Sequence, residues 1–269
     1  MKTRVLSGIF LLLVMGSALF LGGWYLFFLC LFISLFGLFE LYRVFKIEKS
    51  VLGIIGYSTT ILYYVALLSD NDKLMALAVI LGLMGTMTAY VITFPQYIAS
   101  QVMCCIFGVM YVSVMLSYIY RTRTGIDGIY VVWLIFVSSW VSDTFAYFTG
   151  VLFGKHKMTP KLSPKKSIEG AVGGTLISTI VGAVYGYFVS GYMSEVISFP
   201  ALTFAIASFA GALLSIVGDL AASAIKRNYE IKDYGRLIPG HGGILDRFDS
   251  VIFTAPAVFW AVYIINIFM

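Results

Sequence analysis

Charge is scarce in this 269-residue chain: 12% of its residues are Asp, Glu, Lys or Arg, against 60% that are hydrophobic. A soluble domain carries about twice that charge fraction, so a water-soluble globular fold is excluded. The short alternating segments that build a transmembrane barrel are also missing. Cysteine occurs three times and histidine twice. Cys30, Cys104 and Cys105 lie inside apolar runs without ligand spacing, which reads them as small interior residues and disfavours zinc. No low-complexity linker and no convincing internal repeat is present. The opening Met-Lys-Thr-Arg and its apolar run imitate a signal peptide, but no A-x-A site follows and a second run comes at once, so cleavage is not expected.

What is abundant is apolar sequence of membrane-spanning length. The runs predict an all-α integral membrane protein, a polytopic bundle of about nine transmembrane helices near 5–20, 23–39, 51–69, 74–92, 97–120, 129–150, 170–190, 198–220 and 245–268. The first two, separated only by Gly22 and Gly23, read either as a tight hairpin or as one long tilted helix. When the loops are taken alternately, fifteen of the eighteen basic residues fall on one side. Positive charge marks the cytoplasmic side, which predicts a cytoplasmic N-terminus and a site on the cytoplasmic face of an inner membrane. The net charge of +5 then describes orientation first. A sharper reading is that two loops of five cations each attract an anionic substrate or headgroup. No nucleic-acid partner is expected.

Polar chemistry divides the chain into two regions. Residues 1–128 read as a scaffold and lipid-side region of about five spans, where Glu40 and Arg43 look like a snorkelling or paired couple at a helix end. Residues 129–269 read as the catalytic region, of about four spans and two cytoplasmic loops. In "WVSDTFAYFTGVLFGKHK" a helix places Asp143 roughly 10 Å below the cytoplasmic end. A carboxylate at that depth faces a cavity, a partner or an ion, or hydrogen-bonds a neighbouring serine. In "KLSPKKSIEGAVGG" the pair Lys165 and Lys166 is either an ordinary basic loop or a phosphate clamp. In "SIVGDLAASAIKRNYEIKDYGRL" the residues Ser215, Asp219 and Ser223 share one helix face that continues to Lys226 or Arg227. "RLIPGHGGILDRFDS" then offers backbone N–H groups beside a new helix start, a place that suits an anion. Asp246 and Asp249 follow, three apart.

Asp143, Asp219, Asp246 and Asp249 thus lie at the same ends of three spans. If these spans pack together, like charges repel strongly in a low dielectric, and a divalent cation removes that penalty. Oxygen ligands favour Mg²⁺ or Mn²⁺, and Mg²⁺ with few carboxylates commonly works on substrate phosphates. The pattern predicts phosphoryl or nucleotidyl transfer at the membrane surface. Asp219 and Asp246 are the leading metal ligands, Asp249 and Asp143 the next. Lys226 and Arg227, with Lys165, Lys166 and Arg247, bind phosphates. Ser223 supports the metal shell or a phosphate, and His241 contacts phosphate or structures its loop.

The run Ser223-x-Ile225-Lys226-Arg227-x4-Lys232-Asp233-x-Gly235-x2-Ile238-Pro239-x-His241-Gly242-Gly243-Ile244-x-Asp246-Arg247-Phe248-Asp249 resembles the signature of phosphatidate cytidylyltransferases, also called CDP-diacylglycerol synthases. Trp140-x2-Asp143-Thr144-x-Ala146-Tyr147, Phe153-Gly154-Lys155 and Ser163-Pro164-Lys165-Lys166-Ser167-x-Glu169-Gly170 are similar to further motifs of that family, with Ser167 where threonine is common. The resemblance is carried by motifs from about 130 to 269 and by hydropathy before that. It implies an enzyme of phospholipid biosynthesis in the bilayer, in which CTP and phosphatidate give CDP-diacylglycerol and pyrophosphate with Mg²⁺ required. It also implies a homodimer, and leaves room for a second, monovalent cation. Two rival readings stand beside it. One is a CTP-dependent polyprenol or phytol kinase. The other is an ion-coupled transporter, disfavoured because the acidic residues are confined to one half and one face.

Overall fold

The computed structural model describes residues 2–194, 196–197, 199–235, 237 and 242–268. Ile238, Pro239, Gly240 and His241 lie outside them, and with them the reading of His241 as a phosphate contact. The regular structure among the described residues is helical apart from one short hairpin. Its elements are α1 (Lys2–Leu21), α2 (Gly23–Val44), α3 (Val51–Leu68), α4 (Asp72–Ile92), α5 (Ala99–Gly108), α6 (Met115–Thr124), α7 (Gly128–Phe136), α8 (Ser142–Phe153), β1 (Lys157–Thr159), β2 (Ser163–Ser167), α9 (Ile168–Val189), α10 (Pro200–Asn228) and α11 (Leu245–Phe268). Two π-helical turns, Val109–Val114 and Val137–Val141, join α5 to α6 and α7 to α8 without a break. Such a turn inserts a residue and re-aims the side chains that follow it.

Among the described residues, eight helical runs are long and apolar enough to cross a membrane, so the chain is an all-α, multi-pass membrane protein. The ninth helix, α1, carries a shorter apolar stretch, Ser7–Leu21. It is separate from α2: Gly22 and Gly23 both take positive φ, 64° and 52°, a region that glycine enters without Cβ strain. The Arg123 side chain seals this break. Its Nε donates to Leu19 O at 2.7 Å and its Nη2 to Phe20 O at 3.1 Å, placing a cation on the last carbonyls of α1.

The described chain gathers into two compact units. One contains Phe27–Ser117 and Asp233–Arg247 with the first ten residues; the other contains Leu11–Leu26, Tyr118–Lys232 and Phe248–Met269. In the first, helices are tied by buried hydroxyl pairs: Ser34 with Tyr64 at 2.7 Å, Thr60 with Ser113 at 2.8 Å and Tyr63 with Ser117 at 3.1 Å. Lipid removes the hydrophobic drive between helices, which leaves packing and such bonds to join them. In the second unit, small residues set the approach. A Cβ on Gly170 would fall 2.6 Å from Ala146 O, and one on Gly186 2.6 Å from Pro200 O. The Gly182-x3-Gly186 pair therefore packs α9 against α10 within the chain.

The loop broken by Pro164 is an antiparallel hairpin, β1 with β2. Pro164 is tolerated because a two-stranded ribbon consists only of edges. Glu169 fastens the base of this hairpin, accepting from Lys155 N at 3.1 Å and His156 N at 3.2 Å and bonding His156 Nδ1 at 2.6 Å. Ser167 caps α9, its Oγ accepting from Gly170 N at 3.1 Å.

Candidate active site

Four elements of the second unit bring candidate residues together. Asp143 stands at the start of α8, directly after the π-turn Val137–Val141. Lys166 comes from β2, Asp219 and Lys226 from α10, and Asp249 from α11. Lys166 Nζ pairs with Asp219 Oδ2, and the two side chains remain 26% and 25% exposed. Asp249 lies within electrostatic reach of Asp219, Asp143 and Lys226; Asp143 lies within reach of Lys166 and Asp219. Three carboxylates and two lysines thus share one polar patch, four of them on apolar helices and Lys166 on the hairpin.

The backbone makes this approach possible. α10 has 29 residues, about 43 Å of helix, longer than the roughly 30 Å hydrocarbon core. Asp219 through Arg227 occupy the turns at its far end. One residue before Asp219, a Cβ on Gly218 would fall 2.7 Å from Asp249 O and 3.2 Å from Phe253 Cβ. Only glycine lets α10 lie this close to α11, and that contact sets Asp219 beside Asp249. Similarly, a Cβ on Gly174 would fall 2.8 Å from Ala146 Cβ, so α9 lies against the helix that carries Asp143.

Ser250, missed in the sequence reading, contributes to the patch. Its Oγ donates to Asp143 Oδ2 at 3.2 Å and its N–H to Asp249 Oδ1 at 2.8 Å. The expected alternative for Asp143, a hydrogen bond to a serine, thus exists beside its acidic neighbours. Ser250 carries no charge, so only its place beside Asp249 would have marked it.

The remaining candidates are distributed as follows. In a strand, successive side chains turn to opposite faces; Lys166 meets Asp219 while Lys165 is exposed. Ser223 lies one turn beyond Asp219, half-buried, and Arg227 is exposed at the end of α10. Arg247 is exposed and Asp246 is buried; both belong to the first unit.

Asp246 organises backbone. Its Oδ2 accepts from Tyr234 N at 2.8 Å and Gly243 N at 3.0 Å, the second being a reach-back bond of the kind that closes helix N-termini. The next two N–H groups, Ile244 and Leu245, donate to Glu40 at 3.2 and 2.9 Å. Three consecutive N–H groups at this helix start, which the sequence offered to an anion, are taken by the protein's own carboxylates. Of Glu40 and Arg43, read as a snorkelling or paired couple, Arg43 is exposed and Glu40 is not. Glu40 is 4% exposed, and Arg43 Nη2 donates to Tyr234 O.

Among the described residues, no three His, Cys, Asp or Glu side chains are grouped so as to hold a metal ion by themselves. The donor set is nonetheless all oxygen. It suits a hard cation bound by one or two carboxylates and completed by phosphate oxygens and water, the usual habit of Mg²⁺, rather than a closed protein cage.

Comparison with known proteins gives this arrangement its family. Residues 2–265 match the model of the cytidylyltransferase family. The chain is 35% identical over 261 residues to a phosphatidate cytidylyltransferase of Staphylococcus epidermidis, covering 95% of this chain and 96% of that protein. The proteins of the same name from Staphylococcus haemolyticus and Staphylococcus aureus are 34% and 32% identical, with 95% of this chain and 96% of each relative covered. With a family model spanning nearly its whole length and relatives at this identity, the chain belongs to the cytidylyltransferase family and is a nucleotidyltransferase enzyme of the membrane.

Proposed function

We propose that the protein is a phosphatidate cytidylyltransferase, acting in phospholipid biosynthesis: it joins the phosphate of phosphatidate to the α-phosphorus of CTP and releases pyrophosphate. The observation that carries this reading is the patch formed by Asp143, Lys166, Asp219, Lys226 and Asp249, contributed by three spans and a hairpin of one unit. Alternating carboxylates and lysines bind a metal–triphosphate better than either sign alone. The distribution of basic loops supports a cytoplasmic site, where CTP is available.

In the reaction, a phosphatidate oxygen attacks the CTP α-phosphorus in line. A new P–O bond forms to that phosphorus, and its bond to the oxygen bridging to the β-phosphate breaks, with the electron pair leaving on pyrophosphate. The phosphomonoester is already anionic, so no strong base is required. Catalysis is positioning and charge neutralisation. Bound Mg²⁺ supplies Lewis-acid stabilisation of the phosphate oxygens. Asp219 and Asp249 are the carboxylates of the patch best placed to hold it, with Asp143 beside them. Asp246, whose Oδ2 is committed to backbone, holds the start of α11 in place. Lys166 has Asp219 as its partner until substrate phosphate offers a second anion. Lys226 neutralises charge from the α10 side, with Ser223 on the same helix and Arg227 and Lys165 as exposed cations for the outer phosphates.

Purified protein in detergent, given CTP and phosphatidate, is expected to form CDP-diacylglycerol and pyrophosphate in equal amounts. Release of CDP with phosphorylated lipid would establish a CTP-dependent lipid kinase instead.

A further inference from the structure

Glu40 sits in the last turns of α2, where the helix presents carbonyls and a cation is favoured over an anion. It is also 4% exposed, so its carboxylate has been taken out of water as well. Neither circumstance stabilises α2. The carboxylate finds its partners on a distant stretch of chain, the backbone N–H groups of Ile244 and Leu245 at the mouth of α11. These are two of the orphan donors that every helix start must satisfy. With Asp246 taking Gly243 N, three consecutive N–H groups are held by two carboxylates.

Two glycines of the signature stretch are shaped around Glu40. A Cβ on Gly235 would fall 2.7 Å from Glu40 Cδ, and one on Gly243 would fall 2.5 Å from the same atom. Any side chain at either position displaces the carboxylate. Arg43, one turn on from Glu40, donates to Tyr234 O, so α2 grips the segment before Gly235 as well as the segment after Gly243.

We propose that Glu40 is a positioning residue for the nucleotidyl transfer: it clamps the first turn of α11 and so fixes the helix that carries Asp246, Arg247 and Asp249. The proposal rests on the reaction given above. It predicts that altering the carboxylate of Glu40 lowers the turnover of protein that is still folded, because its partners are the N–H groups of a functional helix start.

The test uses the full-length protein in detergent. Glu40→Gln replaces one of the two accepting oxygens with an NH2 donor that faces one of the two N–H groups. The unfolding midpoint is expected to drop, as for any weakened buried charged bond, while in the folded protein kcat falls about 10²-fold, the scale of a small misplacement, with the KM for CTP little changed. Amide hydrogen exchange at Ile244 and Leu245 is expected to accelerate, a readout independent of turnover. Gly243→Ala alone is expected to be nearly inactive, whereas Glu40→Ala with Gly243→Ala is expected to be no worse than Glu40→Ala alone, since the clash has been removed. Wild-type kcat in Glu40→Gln would overturn the proposal, whatever the exchange rates. So would losses that simply multiply in the double variant, and that comparison decides the matter if Glu40→Gln does not fold. A wild-type protein that forms no CDP-diacylglycerol would defeat the reaction instead, while the exchange rates would still judge the clamp.

Discussion

Lys166 of β2 and Asp219 of α10 form an ion pair although each keeps about a quarter of its side chain exposed. A pair that open contributes at most about 1 kcal/mol to stability, so its presence in an apolar protein points to use by substrate rather than to holding the fold. Lys166→Met is expected to shift the unfolding free energy by less than ~1 kcal/mol while lowering turnover about 10²-fold, the scale of losing one preorganised charge. Unfolding in detergent and initial rates measure the two sides. Equal loss of both would make the pair structural.

Removal of divalent cation is expected to stop turnover, and Mg²⁺ or Mn²⁺ to restore it, since all candidate ligands are hard oxygens. Asp219→Asn and Asp249→Asn are each expected to raise the Mg²⁺ concentration needed for half-maximal rate. Full activity in excess chelator would exclude the metal.

Gly218→Ala places a methyl group 2.7 Å from Asp249 O. Overpacking of this kind costs about 1–3 kcal/mol, and here it also spreads Asp219 from Asp249. Thermal unfolding is expected to fall together with kcat, unlike the result for Lys166→Met.

Arg123→Ala removes two bonds to the last carbonyls of α1. Charged hydrogen bonds of this kind contribute about 1–3 kcal/mol. The unfolding midpoint is expected to drop and kcat to stay at the wild-type value, because Arg123 lies outside the acidic patch.

The legible part of this protein follows from its chemistry. Spanning helices are visible because lipid demands long apolar runs, and Asp143 and Asp219 stand out because charge inside such a run is costly. The spacing that put Asp219, Ser223 and Lys226 on one helix holds, since α10 continues to Asn228. Other features left no periodic trace. The π-turn before Asp143 and the strand that carries Lys165 and Lys166 are five residues each, too short to show a period. Glu40 was visible as a charge at a run's end, but its partners are backbone N–H groups, which every sequence has and none displays. Ser250 was hidden because a serine beside an aspartate is ordinary.

Nucleotidyl transfer is tested most directly by the fate of labelled phosphate. With phosphatidate and CTP labelled at the α-phosphorus, the label is expected in the lipid product; with CTP labelled at the γ-phosphorus, it is expected in pyrophosphate. Label from the γ position in the lipid, with none from the α position, would contradict it.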